Sequence, residues 1–170
     1  ALGQRGYQVT LAEATRQLGG RVTRESTLPG LGEWLRVRDY RLQQFDTMTN
    51  LEVFPESDLS VDDVLATEAD HVVIATGATW RADGFGRNHP QPLTTLSPVA
   101  RILTPDDVMA GDLPDGPTVI FDDDSFYMGA VIAEQVRREH VPVTVVTPEN
   151  IVSAWCEYTS EQYQVQKHLL

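Results

Sequence analysis

Short apolar runs alternate with amphipathic stretches along this chain, and the fullest example lies between residues 118 and 148. Thr118-Val-Ile-Phe121 is a continuous apolar run rich in β-branched residues, as a buried parallel strand requires. Val143-Thr-Val-Val146 is a second. Between them Met128, Val131, Ile132, Gln135 and Val136 recur at helical spacing, with Glu134, Arg137, Arg138 and Glu139 on the opposite face. Strand, helix and strand in about thirty residues predict a βαβ unit with a right-handed crossover. In a nucleotide-binding unit the turn after the first strand carries G-x-G-x-x-G, whose glycines let the backbone approach a pyrophosphate at the helix N-terminus. Here that turn reads DDDSFYMG from Asp122 to Gly129. Carboxylates stand where a diphosphate needs bare N–H groups, so the frame of a dinucleotide domain is expected with its phosphate site disabled.

The first part of the chain repeats the theme less regularly. Residues 1–6 resemble the last turns of a helix with Gly6 as C-cap. Residues 7–12 alternate like a strand and end at Glu13. An acid in that position of a Rossmann unit accepts hydrogen bonds from the ribose hydroxyls of an adenine nucleotide; by default it is a solvated residue at a strand end. Gly19-Gly20 follow, either an ordinary loop or a close backbone approach to a ligand. A helix is predicted over 33–48, with Trp34, Val37, Tyr40, Leu42 and Phe45 on its buried side and Arg36, Arg38 and Arg41 at the surface. Residues 51–54 predict a strand, and Ser60 followed by acids predicts a helix start. Residues 71–77, HVVIATG, predict a buried strand ending in the small residues Ala75, Thr76 and Gly77, which leave room for a ligand. His71, at its start, is taken as structural. Residues 80–117 are loop-rich apart from a short helix announced by Thr104-Pro-Asp-Asp. A last helix carrying Trp155, Tyr158 and Tyr163 is predicted over 150–170.

Composition narrows the partners. A net charge of −12 over 170 residues and a pI near 4.6 argue against a nucleic-acid or anionic-membrane surface. The single cysteine, Cys156, cannot form an internal disulfide or hold an iron–sulfur cluster by itself, and a reducing cytoplasmic setting is expected. No apolar run reaches the length of a membrane span. Hard carboxylates at Asp122, Asp123 and Asp124 would suit Mg²⁺ or Ca²⁺, but consecutive residues seldom point one way, and no metal site is assigned. Both ends fall inside helical patterns, so the chain is expected to be a piece of a longer protein. The fold expected is α/β, with partial Rossmann-like dinucleotide-binding domains of the glutathione-reductase type, parallel sheets and both ends cut. Residues 1–116 form a partial FAD- or ADP-binding-like domain, and 117–170 the start of an NAD(P)-binding-like domain with a degenerate phosphate loop.

Three motifs together carry a resemblance: LPGLGEW at 28–34, ATGA at 75–78 and the strand–DDD–FYM stretch after Thr118. With the acid-ended strand and LGG at 18–20, they resemble the C-terminal half of the trimethylamine dehydrogenase family. That family includes histamine and dimethylamine dehydrogenases and, more distantly, 2,4-dienoyl-CoA reductase. The resemblance implies an N-terminal barrel, absent here, carrying FMN, a 4Fe–4S cluster and the amine pocket. It makes Glu13 the ribose acid, puts Gly19 and Gly20 beside ADP or FAD, and makes Ala75, Thr76 and Gly77 a second contact near the pyrophosphate. The family's own G-x-G-x-x-G would lie just upstream of Ala1.

The Asp-rich turn resembles the amine-dehydrogenase branch, whose second domain keeps its fold without NAD(P)H. Like charges about 4 Å apart repel by roughly 4 kcal/mol at an effective dielectric near 20, enough to erase much of a diphosphate's binding energy. The function expected is therefore that of a nucleotide-binding, structural and docking region in a flavin-dependent amine dehydrogenase. The parent is an oxidoreductase, and no catalytic residue is assigned within these 170. An electron-transfer flavoprotein-like carrier, the missing barrel and self-association are the partners expected. The alternatives are an NAD(P)H-dependent 2,4-dienoyl-CoA or enoate reductase, with FAD in the first unit, and a non-catalytic interaction module.

Overall fold

The computed structural model describes residues 1–94 and 97–170. The loop-rich stretch expected at 80–117 includes Thr95 and Leu96, which lie outside the described residues. The chain divides into two compact units, one of residues 1–26 and 31–78, the other of 27–30 and 79–170.

In the first unit a 3-10 turn, Gly3–Arg5, closes on Gly6 in the left-handed region, as the C-cap pattern predicts. Strand β1 (Val9–Ala12) pairs in parallel with β2 (Leu51–Phe54), Val9 opposite Leu51 and Ala12 opposite Phe54. Helix α1 (Gly20–Glu25) follows β1. A 3-10 turn (Gly32–Trp34) leads into α2 (Leu35–Phe45), shorter than the 33–48 expected. Helix α3 (Val61–Ala66) starts at Ser60, whose hydroxyl accepts from the Asp63 N–H while the Asp63 carboxylate accepts from the Ser60 N–H. That reciprocal cap is legible from the sequence.

Two expectations fail in this unit. Trp34, Val37 and Tyr40 are exposed rather than buried. Helix α2 packs against α1 and the 3-10 turn before it, and the residue turned toward α1 is Arg38, whose stem lies against Gly19. An arginine stem can cover apolar surface while its head stays polar, so the apolar ridge three residues apart is left to solvent. Residues 71–77 form no strand: Val73 and Ile74 are 75% and 82% exposed, and His71 starts nothing. High β-propensity reports how well a residue fits a pleated, half-buried surface. Among the described residues no neighbouring strand supplies that surface, because β1 and β2 pair only with each other.

The second unit is the βαβ of the sequence pattern. Strands β3 (Thr118–Phe121) and β4 (Val143–Val146) are parallel, in register Thr118 with Val143. Helix α5 (Tyr127–Arg138) connects them and buries Met128, Ala130, Val131, Ile132, Ala133 and Val136. Each large apolar side chain so buried contributes about 1.5–3 kcal/mol, which makes α5 the centre of this unit's core. Helix α4 (Pro105–Met109), capped by Thr104 and Asp107, adds Val108. The helix expected at 150–170 is two pieces, a 3-10 turn (Ala154–Glu157) and α6 (Gln162–Leu169). Ser160 between them adopts a left-handed backbone conformation, φ 61°, which a continuing helix does not tolerate. Tyr158 and Tyr163 are exposed, and the Arg87 guanidinium lies 4.8 Å from the Trp155 ring centroid.

Candidate functional site

The C-terminal end of β1 is where an open parallel sheet places its ligands. Glu13 stands there, its N–H donating to the Phe54 carbonyl (3.0 Å) and its carbonyl accepting from the Ser57 N–H (2.8 Å). These bonds carry the ladder one residue past β1 and fix the direction of its side chain. One carboxylate oxygen, Oε1, accepts from both the Thr15 N–H and the Thr15 hydroxyl at 2.9 Å. Those two bonds hold the Glu13 carboxyl below its ordinary pKa. It is therefore ionised at neutral pH, with Oε2 left to accept from a diol.

Gly19 and Gly20 open α1 and do different things. A Cβ on Gly19 would meet Arg38 Cδ at 2.7 Å and Thr23 Oγ1 at 2.6 Å, and φ is +108°. The close approach it permits is that of a side chain of this protein. A Cβ on Gly20, at φ +45°, would meet nothing within 4 Å, so this backbone faces open space. Beside them Arg16, Gln17, Leu18, Arg38 and Leu42 line a shallow cleft of about 280 Å³. Arg38 is anchored there by two bonds to Asp39 Oδ1, 3.0 and 2.7 Å, and one to the Thr23 hydroxyl, 3.4 Å. An ionised acid, an open glycine and two guanidinium groups suit a ribose with an anionic substituent. Sequence reasoning named the acid and the glycines but missed Arg16 and Arg38 as cleft walls; the signal available was an arginine four residues before Gly20.

Ala75, Thr76 and Gly77 are exposed, with Gly77 at φ +79°. Among the described residues no hydrogen bond ties them to Glu13, Gly19 or Gly20. Glu13 thus stands just past the end of β1 and the two glycines at the start of α1, while 75–77 belong to no helix or strand.

In the second unit the three aspartates diverge. Asp122 is 4% exposed and lies beneath the start of α5, Asp123 is buried, and Asp124 faces solvent. The expectation that all three carboxylates face a diphosphate fails because their backbone turns between them. The Asp123 carboxylate accepts from the Asn88 N–H at 2.8 Å, and its carbonyl from the Asn88 amide at 3.2 Å. Burial pushes the Asp122 carboxyl up to about 6, against a hydrogen bond from the Ser125 N–H and with a further push from the Asp124 and Asp123 charges. Among the described residues no group of three His, Cys, Asp or Glu gathers to hold a metal ion, and no helix is long and apolar enough to cross a membrane.

A parallel pair ending in an ionised acid and a glycine-started helix, followed by a complete βαβ, defines a Rossmann-like α/β chain. Comparison with known proteins narrows the class. The chain is 35% identical, along 98% of its length, to dimethylamine dehydrogenase from Hyphomicrobium sp. (strain x). The structure of histamine dehydrogenase from Rhizobium sp. 4-9 superposes on 99% of the chain with a TM-score of 0.91 and 45% identity. That of 6-hydroxypseudooxynicotine amine oxidase from Pseudomonas geniculata N1 does so on 96%, with a TM-score of 0.89 and 45% identity. The chain is a homologue of one part of the trimethylamine dehydrogenase and histamine dehydrogenase family of flavin-dependent oxidoreductases. It spans about a quarter of these relatives, 23%, 26% and 24% of their lengths respectively. No protein-family model matches the chain.

Proposed function

We propose that this chain is the nucleotide-holding and docking part of a larger flavin-dependent enzyme that oxidises an amine. The observation that carries the reading is the likeness to an amine dehydrogenase over 98% of the chain. Amine oxidation belongs to a flavin, FMN, in a barrel outside these residues, with a 4Fe–4S cluster passing electrons to a separate carrier protein. Within the chain, Glu13 Oε2 accepts from a ribose hydroxyl of ADP or FAD and the backbone at Gly20 lies beside the nucleotide. Gly19 supports this indirectly by admitting Arg38 to the wall of the cleft. Ala75, Thr76 and Gly77 reach the pyrophosphate side once a neighbouring strand orders them. The bound nucleotide stabilises the fold by ordinary linkage, contributing about 2.7 kcal/mol at a hundred times its dissociation constant. The barrel is the principal partner, and the setting is cytoplasmic.

Exposed Val72, Val73 and Ile74 make the isolated chain self-associate; light scattering that shows a monomer at high concentration sinks that part of the proposal. The test of the whole is anaerobic flavin absorbance of the full-length protein. Bleaching by a methylated or other small amine, with none on adding NADH or NADPH, is expected. Rapid bleaching by NAD(P)H without any by amines overturns the reading in favour of an enoate reductase.

A further inference from the structure

Strand β3 is prolonged by one residue past Phe121: the Asp122 N–H donates to the Val146 carbonyl at 2.8 Å. The Asp122 side chain then lies flat against the first turn of α5. A Cβ placed on Gly129 would sit 2.5 Å from Asp122 Cγ, 2.7 Å from Oδ2 and 2.8 Å from Cβ. Only a glycine leaves room for the carboxyl there. Oδ1 accepts from the Ser125 N–H at 3.0 Å, with Ser125 wholly buried and in a left-handed conformation, φ 56°. Oδ2 is buried and, among the described residues, has no hydrogen-bond partner. Phe126, the N-cap of α5, offers no side-chain cap. A carboxyl group with one oxygen unsatisfied thus fills the space beneath the start of a twelve-residue helix.

That space is the one a dinucleotide's diphosphate takes in a working βαβ unit, between the end of the first strand and the glycine-lined helix start. We propose that Asp122 is the specificity-determining residue of this turn, its carboxyl group plugging the diphosphate seat against Gly129 and so excluding NAD(P)H from the second unit. The exclusion has a steric and an electrostatic part. The carboxyl and a phosphate cannot share the close approach to Gly129, and ionised Asp122 repels a second anion. Burial, the main cause of the upward shift of the Asp122 pKa, would disfavour a second anion there too. Asp123 takes no part in the plug, because its carboxylate is turned to Asn88. The inference concerns this turn alone and does not depend on the substrate that reduces the flavin.

The test uses the full-length protein and ADP-ribose, a nucleoside diphosphate without a nicotinamide, with hydrogen exchange of the segment spanning β3 and α5 as the readout. Wild type and Asp122→Asn, which keeps the plug's volume, are expected to show no change on adding millimolar ADP-ribose. Asp122→Gly is expected to show at least tenfold slower exchange at the start of α5. Protection of the wild type, equal protection of Asp122→Asn, or a folded Asp122→Gly that stays unprotected each overturns the proposal. Should Asp122→Gly open α5 without ligand, a cycle with Gly129→Ala and Asp122→Ala decides. Gly129→Ala is expected to raise the local opening constant at least tenfold more when Asp122 is present than when alanine replaces it; additive effects overturn the plug.

Discussion

Replacing Asp122 by asparagine isolates the cost of burying its charge. In the folded chain the carboxyl titrates at about 6, against 3.8 for an ordinary aspartate. At roughly 1.4 kcal/mol per pKa unit the difference is worth about 3 kcal/mol, and allowing for partial solvent screening leaves about 2 kcal/mol. The sign follows from proton counting: between these two values the folded state holds a proton that the unfolded chain has released. The favourable contribution is complete below about pH 4 and is lost as pH rises through 6, so the second unit is less stable at pH 8 than at pH 5. The charges facing the group are Asp123 and Asp124, with Cys156 neutral across this range. Asp122→Asn keeps an acceptor for the Ser125 N–H and removes the titration. Its opening free energy should be flat from pH 5 to 8, and at pH 8 its opening constant should be about thirtyfold below wild type, the equivalent of about 2 kcal/mol. The assay is hydrogen exchange of the α5 amides in the full-length protein, corrected for the intrinsic pH dependence of exchange. An unchanged wild-type opening constant between pH 5 and 8, or the same slope in Asp122→Asn, refutes the reasoning and moves the titration to another group.

Burial pushes the Cys156 thiol up to about 11, helped by the Glu161, Asp122 and Asp124 charges. At neutral pH it should hold about a hundredfold less thiolate than an ordinary cysteine, so alkylation in native protein should be slow and rise to the free-thiol rate only on denaturation. Gly19→Ala forces a Cβ into Arg38 and Thr23 at a backbone angle that L-residues resist. It should destabilise α1 by about 1–3 kcal/mol, seen as faster exchange of the α1 amides. Glu13→Ala removes the proposed ribose acceptor from a half-buried strand end and should weaken ADP binding about tenfold by calorimetry, with thermal stability changed little.

Local signals were the legible ones. The caps at Ser60 and Thr104, the left-handed Gly6 and the three elements of the βαβ unit follow from short-range chemistry, in which the residues that make each feature lie within a turn or a strand of one another. The failures need information from further away. Whether 71–77 is a strand depends on a neighbour, and its composition cannot supply one. Trp34, Val37 and Tyr40 obey helical spacing, yet the half-buried position facing α1 goes to Arg38 because Gly19, earlier in the chain, admits its stem. The run of three aspartates was legible as a departure from a glycine turn. Which of them lies under α5 was not, since that depends on how the backbone turns between β3 and α5.

Both units also show why a glycine beside a strand end is an ambiguous sign. The residue type reports only that something comes close to the backbone, and the visitor must be read from the packing. At Gly129 the visitor is the Asp122 carboxyl, and at Gly19 it is the Arg38 stem. Each glycine would pass for a nucleotide contact by its place in the pattern, and each is instead occupied by the protein's own side chain. Gly20 differs, since a Cβ there would meet no other atom within 4 Å, and it lies two residues after Leu18, which lines the cleft. Of the three, Gly20 is therefore the glycine whose approach remains available to a ligand. The acid and the open glycine fall in one unit and the glycine beside Asp122 in the other, and it is on this asymmetry that the proposal of one held nucleotide and one refused rests.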